Sequence, residues 1–126
     1  KGPSSWGDVR IQEHLVPLYE QFGVDVVFNG HIHVYERTWP LRAGQVDEDN
    51  GVTYVTTGGG GGHIEDFAPT RTWFTAHKYR GHHFCIVTAS DKTFELRAFD
   101  QEGKIIDFFR LEKSITANGL AGDMGQ

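Results

Sequence analysis

Apolar positions in the first third of the chain follow two rhythms. Between Asp8 and Gly23 the residues Ile11, Leu15, Leu18, Tyr19 and Phe22 recur at steps of three and four, the period of one helix face. Asp8 is placed to cap the start of that helix and Gly23 to end it. Pro17 falls inside it without the N–H that a helix interior uses, so a lost hydrogen bond or a bend is expected there. The pattern then changes to "VDVVF", a short valine-rich run of the kind found in strands covered on both faces. A helix followed by a buried strand predicts an α/β fold.

After residue 40 the chain alternates strands with turn chemistry. "GVTYVTT" (51–57), "HFCIVTA" (83–89), "TFELRAF" (93–99) and "KIIDFFRL" (104–111) are the predicted strands. The polar connections "SDK" and "DQEG" are hairpin-sized, so the last three strands are expected to form an antiparallel meander in a mixed sheet. Residues 1–113 form one domain part in this reading, and 114–126, rich in small residues and without periodicity, a loose tail. One helix and about six strands leave one face of the "VDVVF" strand without cover. More of the same protein, or a second copy in a homo-oligomer, is expected to pack there.

Composition narrows the function classes. The 126 residues suit one small domain, and no apolar run is long enough to cross a membrane as a helix. Twelve basic residues against 17 acidic ones, scattered along the chain, give no electrostatic footprint for nucleic acid. An anionic substrate therefore needs local help, such as a metal ion. The single cysteine, Cys85, allows no internal disulfide and is expected to serve packing. The first residues, "KGPSSWGD", hold no apolar signal-peptide core and no initiating methionine, so the true start of the gene product can lie upstream.

Candidate chemistry sits where the first strand ends. In "VDVVFNGHIHVYERTWP" the strand runs into Gly30, and His31 and His33 follow. In an extended segment the two imidazoles project to one side with Cα atoms about 6.5–7 Å apart, a spacing that reaches two adjacent metal ions. Gly30 is expected to let the backbone pass close to the site, at the carboxyl end of a strand where open α/β sheets bind ligands. With 16 glycines and seven histidines in the chain the string alone is weak, and two surface imidazoles are the plain alternative.

The run "YEQFGVDVVFNGHIHVYERTWPL", with the helix "DVRIQEHLVPL" before it and "GVTYVTTGGGGG" after it, resembles the C-terminal half of a calcineurin-like metallophosphoesterase, closest to the purple acid phosphatases. The likeness spans residues 4–111. It implies a four-layer α/β/β/α sandwich with a two-metal site (Fe, Zn or Mn) at the sheet edge, hydrolysing phosphate esters. His33 would bind the first metal and His31 the second, as neutral imidazoles, so that acid is expected to release the ions.

The family's other ligands come from an earlier aspartate, a G-D-x-x-Y segment, a G-N-H-[DE] segment and a further histidine before the helix, and this chain has none of these motifs. Gly7-Asp8 is followed by "VRI" and Gly122-Asp123 by "MGQ". With two ligands where such a site needs at least three, the polypeptide alone is expected to bind metal weakly and to need the N-terminal half of the same protein. A non-catalytic binding or assembly module that keeps the sheet is the alternative.

Other residues carry two readings each. His82 and His83 can titrate near neutral pH, although one of two adjacent strand residues normally faces solvent. "GGGGGH" lacks the Lys-Ser/Thr of a P-loop and reads as a turn that lets backbone approach the site, with His63 either a ligand or a polar loop residue beside the cleft. Glu36 and Arg37 can orient the histidines or pair with each other. Trp39, Trp73 and Phe74 can line a substrate rim or join the core. Asp47–Asn50 fails EF-hand spacing and reads as a solvated turn, and His14 as a surface residue of the helix.

Overall fold

The computed structural model describes residues 8–113, so the tail expected at 114–126 lies outside the described residues. The chain divides into two compact units between Phe84 and Cys85.

In the first unit the predicted helix forms as two: α1 (Val9–His14) and α2 (Val16–Gln21), broken at Leu15. Pro17 explains the break, because it lacks the N–H that would bond back to Glu13 and is tolerated only in the first turn of a new helix, where it sits. Asp8 caps α1 through the Arg10 backbone N–H at 2.8 Å. At the other end Gly23, at φ 65°, lets the chain fold back: the Val24 N–H donates to the Tyr19 carbonyl at 2.9 Å and the Gly23 N–H to that of Glu20 at 3.4 Å, a Schellman closure. No helical residue is fully buried.

Four strands form the first sheet: β1 (Val26–Asn29), β2 (Tyr35–Thr38), β5 (Thr53–Thr57) and β6 (Thr75–Tyr79), in the order β1-β5-β2-β6. β1 runs parallel to β5, and β2 antiparallel to both β5 and β6, so the sheet is mixed as expected. β1, the strand expected to lack cover on one face within this chain, is half-buried at its start and exposed at its end, with Phe28 44% exposed. Among the described residues it lies at the sheet edge and has a neighbour on one side only. Val34, Tyr35, Val52 and Val55 form the buried apolar centre of this unit.

Between β2 and β5 runs a hairpin of β3 (Leu41–Arg42) and β4 (Gln45–Val46), closed by Ala43 and Gly44, both at positive φ, the geometry of a two-residue type I′ turn. It is tied to α2, since the Glu20 carboxylate accepts the Ala43 N–H at 3.0 Å and the Glu20 carbonyl accepts from Arg42 at 3.2 Å. The Asp47 carboxylate then accepts the N–H groups of Asp49 and Asn50, the solvated turn read from the sequence.

The meander β7 (His83–Ala89), β8 (Thr93–Asp100) and β9 (Ile105–Glu112) forms as predicted, with β7 beginning on the last two residues of the first unit. Ser90 and Thr93 close its first turn. In the second turn Asp100 accepts from Glu102 and Lys104, while Gly103 takes φ 85°. Leu96 and Ala98 are buried on one face of β8, and on the other face Glu95 pairs with its cross-strand neighbour Arg110 and with Arg97. Cys85 is half-buried rather than a core residue.

Candidate metal centre

Because β1 and β5 are parallel neighbours, the loops leaving their carboxyl ends emerge on the same side of the sheet. One loop carries Gly30–Val34 and the other the glycine run from Gly58. This is where an open α/β sheet collects a site.

The first loop is not extended. The Ile32 N–H donates to the Gly30 carbonyl and the Val34 N–H to the Ile32 carbonyl, each at 2.9 Å, so His31 and His33 occupy the centres of two successive γ-turns. His31 takes φ 71°, a left-handed conformation costly for a non-glycine residue. The extended spacing expected for the two histidines is therefore replaced by a folded one, because these local bonds serve backbone groups that lie beyond the end of the β1 ladder. His31 is exposed and His33 half-buried.

The second loop packs on the first. A Cβ at Gly58 would lie 2.2 Å from the Ile32 carbonyl oxygen, so only glycine lets β5 leave the sheet under that turn. A Cβ at Gly62 would lie 2.6 Å from Cε1 of His33. Gly30, expected to provide this close approach, meets nothing within 4 Å, and the tight passage falls on the glycine run instead.

His33 is held at three points. Its Nδ1 donates to the His63 carbonyl at 2.7 Å, its backbone N–H donates to Oε1 of Glu65 at 2.9 Å, and its carbonyl accepts the Glu65 N–H at 3.3 Å. A carbonyl can only accept, so Nδ1 carries the hydrogen, and in the neutral ring the Nε2 lone pair is then the one left to coordinate. This is how a metal-binding imidazole is usually oriented. The donor set thus fits a transition metal in kind but falls short in number: among the described residues no group of three or more His, Cys, Asp or Glu is gathered to hold an ion.

The remaining sequence candidates separate. His63 meets His33 through its carbonyl, and the His82 Nε2–H donates to the Gly62 carbonyl at 2.9 Å, so both shape the second loop. His83 is buried: its Nδ1–H donates to the Gly81 carbonyl at 2.9 Å, its Nε2 accepts from the Thr57 hydroxyl at 3.0 Å, and its ring meets Tyr35 and Tyr79 edge-on. Glu36, also buried, accepts from the Thr75 hydroxyl at 2.6 Å. Trp39 and Trp73 are exposed rather than core residues, and Trp73 stacks edge-on against Phe74. With Glu36, Tyr54 and residues of α1 and α2, Trp73 and Phe74 line a cleft of about 500 Å³ that neither His31 nor His33 lines. Burial pushes the Tyr54 hydroxyl up to about 12, and that hydroxyl has no hydrogen-bond partner among the described residues.

No protein-family model matches the chain. It is 32% identical over 114 residues to a nucleotide pyrophosphatase/phosphodiesterase of Hordeum vulgare, covering 81% of this chain and 31% of the relative. A probable inactive purple acid phosphatase of Arabidopsis thaliana is 31% identical over the same length, which is 18% of that protein. The structure of a purple acid phosphatase from yellow lupin (Lupinus luteus) seeds superimposes with a TM-score of 0.76 at 28% identity, over 80% of this chain and 20% of that one.

The chain is purple acid phosphatase-like. It spans less than a third of the length of these curated relatives, in accord with the C-terminal portion that its motifs imply. In this purple acid phosphatase-like chain Glu65 is the site residue that the sequence did not reveal. No motif marks it, and it meets His33 only because the glycine run folds back across 32 residues.

Proposed function

We propose that the chain supplies His31 and His33 to the two-metal site of a phosphoesterase that hydrolyses phosphate esters, and that a longer protein contributes the other ligands. The observation that carries this reading is the state of His33, whose Nδ1 is bound to the His63 carbonyl and whose Nε2 is left free at the carboxyl end of parallel strands. The order Gly30-His31-Ile32-His33 followed by Tyr35-Glu36-Arg37, in a chain similar to phosphoesterases, supports it further.

When bound, paired Fe, Zn or Mn ions would polarise a phosphoryl oxygen and make a water nucleophilic at neutral pH. The chain's own part is to orient. His33 presents Nε2, the His31 turn directs a second imidazole from the same loop, and the glycine run closes the loop from below. The metal content of the full-length protein and of its His31→Ala, His33→Ala double variant tests the reading. Loss of bound metal together with phosphate-ester hydrolysis is the expected result, and unchanged metal stoichiometry sinks the ligand assignment.

The name of the Arabidopsis relative, a probable inactive phosphatase, favours a second reading: a non-catalytic module that keeps this fold. A full-length protein that binds no metal and releases no phosphate from any ester would support it.

A further inference from the structure

We propose that Glu65 is a positioning residue for His33: its carboxylate and main chain grip the His33 backbone, so that the ring donates Nδ1–H to the His63 carbonyl and presents Nε2. His33 sits at the centre of a γ-turn, where its N–H has left the sheet ladder, and Glu65 Oε1 accepts that N–H at 2.9 Å. The Glu65 N–H returns a bond to the His33 carbonyl at 3.3 Å. The two residues thus pair like one rung of a sheet although neither lies in a strand. The same carboxylate oxygen is 3.8 Å from Nδ1, the side from which the ring is held.

This rung fixes the ring because the His63 carbonyl is two residues from Glu65 on the same loop. If the Glu65 side chain is removed, one of the three bonds that hold His33 is lost, and the carbonyl is free to drift from Nδ1. Gly62 acts from below: the space a Cβ would need is filled by the His33 ring, so the ring can lie against the loop only while residue 62 is glycine. The His82 bond to the Gly62 carbonyl holds that part of the loop in place.

The role serves the phosphoesterase reading, but the tautomer belongs to the chain itself and is measurable without metal. The experiment is a long-range proton–nitrogen spectrum of the ¹⁵N-histidine-labelled chain at about pH 8, where imidazoles are neutral. His33 is expected as the single Nδ1–H tautomer in the parent and in Glu65→Gln, which keeps an acceptor for the backbone N–H. In Glu65→Ala and Gly62→Ala the ring is expected to turn to an Nε2–H or mixed state while the remaining amide spectrum stays dispersed.

An Nε2–H His33 in the parent overturns the proposal whatever the variants do, and so does an unchanged tautomer in a folded Glu65→Ala. Titration with Zn²⁺ alone separates the two readings. Weakening of about 10- to 100-fold in Glu65→Ala supports positioning toward a metal. A parent with the Nδ1–H tautomer and no Zn²⁺ response keeps Glu65 as the positioning residue and counts against the phosphoesterase reading.

Discussion

At His83 and Gly58 the effect of a single substitution follows from contacts already in place. His83 spends both ring nitrogens inside the fold, so His83→Ala removes its bonds to the Thr57 hydroxyl and the Gly81 carbonyl and opens a gap beside Tyr35. A loss of about 2–3 kcal/mol is expected, read as a lower urea midpoint followed by tryptophan fluorescence. Gly58→Ala places a methyl against backbone that cannot swing aside, and about 1–3 kcal/mol is expected in the same assay. Tyr54 gives a pH signature. Its folded pKa of about 12 lies above the ordinary value of 10, so burial favours the neutral phenol. The stability this contributes is complete below about pH 10 and is lost as the pH rises through 12. Phenolate absorbance should show a late-ionising step, and Tyr54→Phe should diminish it. None of these three roles was legible in the sequence, because each depends on what another segment brings to the residue: Gly81 and Thr57 to His83, Ile32 to Gly58, and the helices to Tyr54.

Elements were more legible than contacts. The meander could be read almost residue by residue, since β7, β8 and β9 are rich in β-branched and aromatic residues and their turns carry Ser90, Asp100 and Gly103. The helix could be read in extent but not in continuity: Pro17 predicted a disturbance, and the structure resolves it as two helices. Pro17→Ala is expected to join them, raising helical circular dichroism without changing the sheet signal. β2, β6 and the small β3–β4 hairpin went unread, because "YERT" and "TAHKY" mix charged and aromatic residues and the hairpin strands are only two residues long. Asp8 bears on the start of α1. The hydrogen bond from the Arg10 side chain, followed by that from its backbone N–H, lowers the Asp8 pKa to about 2, so its contribution is present above the ordinary carboxylate value of 3.8 and lost as the pH falls through 2. Asp8→Asn, which still caps but cannot pair with Arg10, should keep α1 and abolish that acid step.

For the whole molecule, the part-length match to its relatives and the exposed apolar side chains support the same expectation. Phe22 is 75% exposed, and Phe28, Trp39, Trp73, Phe84, Ile86 and Phe108 are also open to solvent. An apolar fluorescent dye should therefore brighten strongly on this chain and less, mole for mole, on a longer protein that supplies the rest of the fold. Equal brightening on both would count against such cover. The candidate histidines were legible from the strand–Gly–His–x–His order. Their support was not, because it comes from a loop 30 residues further on. That support carries one more consequence. The turn at His31, the rung between His33 and Glu65 and the passage of Gly58 beneath Ile32 are all made within residues 30–65, so the loop takes its shape when the chain folds. Fixing a flexible residue costs about 1–2 kcal/mol of entropy. Here that cost falls on folding rather than on ligand capture, which leaves the affinity of whatever binds these histidines undiminished by any need to organise them.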